Sequence, residues 1–273
     1  MILITGGTGY IGSHIALALK NAGRDIIVYD WGKNNEYVLR NHGIITIYGD
    51  CADKGDMNRV FQNCGIKHII HLAGYKDVGE SVKKPNKYFH NNINATTTVL
   101  KVAKEHYVNN IIFSSTCAVY GDCEGGDEQT PYNPKSPYAL SKKICEEIII
   151  NSGMNYSILR YFNPIGEHNG LRDFSVDSIQ NKLKQSPFYI YGNDYDTPDG
   201  TAIRDYIDID KLVDAHIQAL NWENQIVNIG SGEPKSVLEM AKDAGAKYEF
   251  AGRRDGDIAK IWANIEKWKK LHG

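Results

Sequence analysis

Tyr138 and Lys142 stand one helical turn apart in the run Ser136-Pro137-Tyr138-Ala139-Leu140-Ser141-Lys142, a spacing that puts a phenol and an ammonium on one face of a helix. A tyrosine phenol ionises near pH ~10 and is a poor base at neutral pH. A neighbouring positive charge favours the phenolate, which can then take the proton from an alcohol as the alcohol's carbon releases hydride. Ser114-Ser115-Thr116 supplies further hydroxyls, and Thr116 is the candidate for polarising the reacting oxygen. The trio suggests oxidation and reduction at an alcohol carbon. With 17 tyrosines in the chain, a Tyr-x-x-x-Lys word alone is weak, and its weight comes from the elements around it.

Ser136 is a good N-cap and Pro137 suits the first helical position, so a helix predicted over residues 137–151 begins just before the pair. Leu140, Ile144 and Ile148 form an apolar stripe about 160° round from it, so the pair is not filler for that stripe. Nearer the N-terminus, an apolar strand at residues 2–5, a helix at 11–21 and a strand at 25–29 make a βαβ unit. Further strands at 44–48, 67–72, 110–114 and 156–160 alternate with helices near 53–63 and 88–106. This order predicts an α/β fold with a doubly wound parallel sheet, a Rossmann fold covered on both faces. Ser114-Ser115-Thr116 would then follow the fifth strand, at the carboxyl edge where ligands of such sheets bind. From about residue 164 Gly, Pro, Asn and Asp become frequent and helical periodicity weakens, which reads as a smaller, loop-rich substrate region. The expected division is residues 1–165 for nucleotide binding and 166–273 for substrate. Its boundary is soft and interleaved, because residues 226–230 look like a strand returning to the sheet or its rim.

Gly6-Gly7-Thr8-Gly9-Tyr10-Ile11-Gly12 lies between the first strand and the first helix. Glycines there allow a tight turn and bring backbone N–H groups and a helix N-terminus against a pyrophosphate. Asp30, ending the second strand, is placed to accept hydrogen bonds from ribose hydroxyls and to repel a 2′-phosphate, which favours NAD over NADP. An oxidised nicotinamide would be a second positive charge acting on Tyr138. Asn34, Asp50, Cys51, Leu72, Ala73, Gly74 and Ser114 join the expected cofactor contacts beside Gly6, Gly9, Tyr10, Ile11 and Gly12. No metal site is expected. Asp194-x-Asp196-x-x-Asp199-Gly200 misses calcium-loop spacing and reads as a polar turn, while His71 lacks a second histidine at ligand spacing and reads as a packed strand-end residue.

Bulk composition narrows the partners. Thirty-one Lys and Arg against 33 Asp and Glu leave a net charge of -2, which gives no global attraction for nucleic acid or an anionic membrane. Any anionic ligand must therefore be held by local cations. No apolar run reaches the roughly 18 residues of a membrane span, and no charged leader precedes the first strand, so the cytosol is the expected compartment. Five cysteines, odd in number and without a Cys-x-x-Cys pair, read as reduced structural thiols.

Together, the glycine turn, the Ser-Ser-Thr strand end and Tyr138-x-x-x-Lys142 resemble the extended short-chain dehydrogenase/reductases. Longer words at residues 5–13 (TGGTGYIGS), 73–82 (AGYKDVGESV), 160–166 (RYFNPIG), 192–207 (GNDYDTPDGTAIRDYI) and 253–257 (RRDGD) are similar to the UDP-glucose 4-epimerase family, collinearly over essentially the whole chain. The resemblance implies NAD-dependent 4-epimerisation of a UDP-hexose: hydride leaves C4, the 4-keto sugar rotates, and hydride returns to the opposite face. By matched position it implies that Lys76 and Asn91 contact NAD, with Lys76 also reaching substrate, and that Tyr161 lies near the nicotinamide. Asn163, Arg204, Arg254 and Asp257 would hold the nucleotide diphosphate and ribose, as arginine's bidentate fork suits phosphate. The alternative for each arginine is a surface ion pair with Asp205 or Asp255. A homodimer pairing the helices at 88–106 and 137–151 is also implied.

Departures from the family pattern accompany the match. Residues 166–191 are abbreviated, with no clear match for the family's uracil-holding Asn-Leu near Arg172-Asp173. Relatives continue into at least one more helix beyond Gly273. Trp31 and Gly32 follow Asp30 where Asn-Leu is usual, and Ile261 occupies the position whose bulk gates N-acetylated sugars in the family. The alternatives are a UDP-N-acetylhexosamine or UDP-pentose 4-epimerase and a catalytically silent nucleotide-sugar or NAD binding module. A 4,6-dehydratase needs an acid and base that Cys117-Ala118 does not provide, and Asp30 disfavours a reductase that releases NADP.

Overall fold

In the computed structural model, which describes residues 1–272, seven strands form one all-parallel sheet. The chain's strands run β1 (Ile2–Thr5), β2 (Ile26–Asp30), β3 (Thr46–Tyr48), β4 (His68–His71), β5 (Asn110–Thr116), β6 (Cys123–Gly126), β7 (Asn155–Tyr161), β8 (Asn163–Ile165), β9 (Phe188–Tyr191), β10 (Ile203–Asp208), β11 (Gln225–Ile229), β12 (Pro234–Ser236), β13 (Tyr248–Ala251) and β14 (Lys260–Ala263). The large sheet has the order β11-β7-β5-β4-β1-β2-β3. Its strands are nearly continuous apolar runs because both faces are covered. Alternation sorts the side chains: Ile4, Val28 and Ile112 pack with the helices Tyr10–Asn21 and Ile209–Ala219 on one face. Leu3, Ile27 and Phe113 pack on the other face, in the cluster that takes Met57, Val99 and Ile149 from the helices Lys54–Cys64, Asn94–Glu105 and Pro137–Ile150.

The chain crosses between layers twice. β6 leaves the first half to pair with β14 in a smaller sheet, β12-β10-β14-β6, in which β8 also pairs β10. β11 returns from the second half to close the edge of the large sheet beside β7. A two-stranded parallel pair, β9 with β13, packs against the helix Val237–Asp243 through Phe188, Ile190 and Ala241.

Three sequence expectations are corrected. Ser114-Ser115-Thr116 is not a segment after β5 but its last three residues, paired through Thr116 with Tyr161 of β7. Polar residues continue the strand because the buried Ser115 hydroxyl is satisfied by the Glu146 carboxylate. The helix expected at 88–106 runs as Pro85–Tyr88, a π-helical turn at Phe89–Ile93 and Asn94–Glu105. That turn buries Asn92, whose amide bonds the backbone of Tyr75 and the hydroxyl of Ser141. The region after residue 164 is less loop-like than its composition implies, since Ile209–Ala219 is a helix capped by Asp208 and burying Leu212, Val213, Ala215, His216 and Ala219. On Pro137–Ile150, the face turned into the protein carries Lys142, Cys145, Glu146 and Ile149, whereas Leu140 of the apolar stripe is exposed. The helix start is as expected, with Ser136 Oγ accepting from the Ala139 N–H at 3.2 Å and Pro137 at the first position.

Glu146 and Arg160 form an ion pair with side-chain exposures of 0% and 1%. Arg160 Nε and Nη2 donate to the two carboxylate oxygens at 3.1 and 2.7 Å, and Nη1 donates to the Tyr120 hydroxyl at 2.7 Å. The Tyr132 hydroxyl donates to Glu146 at 2.9 Å. Removing one member of such a pair strands a charge in a low-dielectric interior. Arg160→Met should cost roughly 3–5 kcal/mol in chemical denaturation, and adding Glu146→Leu should recover most of that loss.

Candidate active site

The strand order reverses between β1 and β4, and the crevice at their carboxyl ends opens into a cavity of about 1030 Å³. Single-ligand pockets span roughly 300–1,000 Å³, so this one is large enough to seat an extended ligand or two adjoining ones. Every candidate cofactor, substrate and catalytic residue named from the sequence, from Gly6 to Ile261, lines it.

The floor is the glycine turn. Gly6 has φ +69°, and a Cβ there would stand 2.8 Å from the Ala73 nitrogen; a Cβ on Gly12 would stand 2.5 Å from the Gly6 carbonyl oxygen. Side chains are excluded at both positions, and the N-terminus of the 12-residue Tyr10–Asn21 helix is held against the turn. Asp30 locks this geometry: Oδ2 accepts from the Thr8 N–H at 2.9 Å and the Thr8 hydroxyl at 2.7 Å, and Oδ1 accepts from the Gly32 N–H at 3.0 Å. The carboxylate is half-buried and still faces the cavity. A bare backbone cradle under a helix N-terminus, with a carboxylate at the end of the next strand, fits a dinucleotide.

The wall that carries Thr116, Tyr138 and Lys142 is made by β5, β7 and the Pro137–Ile150 helix. Lys142 is buried and its Nζ donates to the Ser114 carbonyl at 2.7 Å. Burial pushes its ammonium down to about 8, so it remains a cation at neutral pH. Burial also pushes the Tyr138 phenol up to about 12, with the hydrogen-bonding Thr116 hydroxyl pulling the other way. In the chain alone desolvation outweighs the Thr116 hydrogen bond, and the Lys142 ammonium is engaged by a backbone carbonyl.

Two buried histidines support the wall. His216 Nδ1 donates to the Leu212 carbonyl at 2.8 Å, leaving Nε2 to accept from the Tyr161 hydroxyl. His71 lies between the Thr5 and Thr96 hydroxyls at 2.7 and 3.2 Å. Burial drives both below the usual imidazole range, His216 to about 4 and His71 to about 3, the latter helped by Lys142.

At the far end, Arg204, Arg254, Asn163, Asp257 and Ile261 converge from β10, β8, β14 and the loop before β14. Neither surface pair considered from the sequence forms. Arg204 Nη1 donates to the Ile203 carbonyl at 2.9 Å, and Asp205 accepts instead from Ser231, Gly232 and Ala263. Arg254 pairs with Asp257 at 3.0 Å and lies 4.4 Å from the centre of the Tyr191 ring. Sequence reasoning missed Tyr75, Asp177, Ser178, Lys182, Tyr189 and Tyr191, which also line the cavity. Tyr75 stood inside a quoted word, while the rest follow no motif and arrive only through the β9–β13 pairing and a short turn at Ile179–Lys182.

A doubly wound parallel sheet with a glycine turn at its switch point and a Thr–Tyr–Lys wall defines a dinucleotide-binding enzyme fold of the extended short-chain dehydrogenase/reductase class. Residues 2–230 match the NAD dependent epimerase/dehydratase family, and the chain belongs to it. A UDP-glucose 4-epimerase of Yersinia pestis is 36% identical over 307 aligned positions, covering 97% of this chain and 90% of that protein. The Bifunctional protein gal10 of Schizosaccharomyces pombe is 38% identical over 98% of this chain, which spans 45% of its length. The crystal structure of UDP-glucose 4-epimerase from Bifidobacterium longum in complex with NAD+ and UDP superposes with a TM-score of 0.91 at 36% identity, covering 99% of this chain and 91% of that one.

The histidines predict an acid limit. An unfolded histidine binds a proton below about pH 6.5, whereas folded His216 and His71 do so only below about 4 and about 3. The unfolded state therefore binds more protons across that window, and stability falls as pH is lowered through it. Each histidine contributes about 1.4 kcal/mol per pH unit inside its own window. Denaturant unfolding at pH 7 and pH 4.5 should show a loss of several kcal/mol, and His71→Asn should flatten part of the slope.

Proposed function

We propose that the protein is an NAD-dependent 4-epimerase of a UDP-hexose. The observation that carries this reading is the convergence on one cavity of the glycine cradle, the Thr116–Tyr138–Lys142 wall and the arginines Arg204 and Arg254. Asp30 takes the adenosine ribose; Gly6, Gly9, Tyr10, Ile11 and Gly12 present the turn and helix N-terminus to the pyrophosphate. Asn34, Asp50, Cys51, Leu72, Ala73 and Gly74 flank the adenosine half, and Lys76, Asn91, Ser114 and Tyr161 the nicotinamide half. Bound NAD supplies a reversible hydride acceptor and, when oxidised, a positive charge beside the phenol. Tyr138 takes the proton from the sugar's C4 hydroxyl and returns it after the 4-keto sugar has turned. Lys142 keeps positive charge near the reacting oxygen, and Thr116 donates to that oxygen. Arg204, Arg254 and Asn163 grip the diphosphate and Asp257 the ribose, the Arg254–Asp257 pair opening when phosphate arrives. Ile261 bounds the sugar end, where it is buried at 2% exposure.

The same reading carries residues 1–165 as the cofactor part and 166–273 as the substrate part, interleaved where β6 and β11 change sides. Five unpaired cysteines support a reducing compartment, the cytosol, and no helix of the described residues is long and apolar enough to cross a membrane. The outward Leu140 and the half-buried Ile144 on Pro137–Ile150 support a homodimer joined through that helix. Light scattering should give twice the chain mass of 30.6 kDa, and Leu140→Lys with Ile144→Lys should return the single-chain mass.

The decisive assay incubates the protein with UDP-galactose, UDP-N-acetylgalactosamine and UDP-xylose separately and identifies products by NMR. Conversion of UDP-galactose to UDP-glucose is expected. Conversion of the N-acetyl or pentose sugar instead would move the substrate, and no conversion with NAD supplied would leave a silent binding module. Tyr138→Phe should lower turnover by about 10²–10⁴-fold, the range for one proton-transfer group, while NAD remains bound.

A further inference from the structure

Beside the cofactor cradle stands an aromatic pair that the hydride chemistry does not use. Trp31 follows Asp30 at the end of β2, and Tyr75 follows Gly74 after β4. β2 and β4 are the two neighbours of β1, so these residues rise on opposite sides of the glycine turn. Their rings nonetheless meet, with centroids 5.6 Å apart and planes at 49°, and both line the cavity. A bridge between loops on either side of a cleft differs from the single exposed aromatics that any surface carries.

The two sides are built differently. Tyr75 is fixed: its N–H donates to Asn92 Oδ1 at 2.8 Å and its carbonyl accepts from Asn92 Nδ2 at 3.1 Å. Its ring lies 4.1 Å from the Lys87 ammonium and 5.6 Å from the Tyr88 ring, and Lys87 is itself held by Glu80 at 2.9 Å. Trp31 is 54% exposed. One anchored ring and one largely exposed ring meet over a groove, the arrangement of a clasp whose arm would be Trp31. An adenosine whose ribose is bonded to Asp30 would lie beside the indole and cover part of its exposed face, and would leave only when the rings part.

We propose that Trp31 closes against Tyr75 over bound NAD and sets how long the cofactor stays. The inference rests on the cofactor reading above and adds to it a residence-time role for these two aromatics. Protein loaded with labelled NAD is chased with unlabelled NAD, and retained label is followed over time. Trp31→Ala and Tyr75→Leu should each release label about tenfold faster, and Trp31→Phe should recover most of the difference because it keeps an aromatic face. Tyr37→Ala, which removes a 68% exposed ring outside the cavity, should match the parent. Indole emission should fall when NAD binds, and that change should be largely absent in Trp31→Ala. Release from Trp31→Ala and Tyr75→Leu at the parental rate overturns the clasp while leaving the cofactor assignment standing. A parent chain that takes up no NAD overturns both.

Discussion

Everything reactive in this molecule hangs on the buried pair between Glu146 and Arg160. Glu146 sits one turn beyond Lys142 on the helix that carries Tyr138, and Arg160 immediately precedes Tyr161 on β7. The Ser115 hydroxyl also donates to Glu146, and Ser115 lies between Ser114, whose carbonyl takes the Lys142 ammonium, and Thr116. One carboxylate thus fixes the helix to two strands at the level of the chemistry. Two charges in a dry interior cost several kcal/mol of desolvation each, and they persist only with good geometry and every lone pair satisfied. The Tyr120 and Tyr132 hydroxyls complete that set, and Tyr120 passes the network on to Asn228 in β11 at 2.7 Å.

That constraint explains why the wall can be so thoroughly desolvated. Burial raises the phenol and lowers the ammonium, so in the bare chain the phenol stays protonated at neutral pH. A rigid, pre-formed wall lets an incoming positive charge act at close range in a low-dielectric site instead of being screened by water. The neutral histidines belong to the same economy of burial. His216 orients the Tyr161 hydroxyl and His71 ties β1, β4 and the Asn94–Glu105 helix together, each through hydrogen bonds to hydroxyls in surroundings that favour the uncharged ring.

The opposite wall is softer. Arg254, with its Asp257 partner and Tyr191 beneath it, is about half exposed, and the abbreviated segment after Gly166 reaches the cavity through short turns. Parental residues of the cradle are packed to contact distance, whereas this side offers charges that exchange one partner for another.

Local sequence was enough for the cradle and the helix carrying Tyr138. Gly6 and Gly12 are dictated by backbone approach, Ser136 and Pro137 by capping, and the apolar runs by burial on both faces, all of which act within a few residues. Thr116, Tyr138, Lys142 and Asp30 could be placed along one cavity because their spacing matches strand ends and helix turns. Only the tertiary structure decided which side of Pro137–Ile150 faces inward, since the stripe of Leu140 and Ile144 looks like a core face until the buried Glu146–Arg160 pair claims the other side. It alone brought Lys182, Tyr189 and Tyr191 to the cavity, set Arg254 against Asp257 rather than Asp255, and joined Trp31 to Tyr75. Those contacts depend on strand order and crossover geometry, which bring together residues far apart in the chain and leave no periodic trace in it.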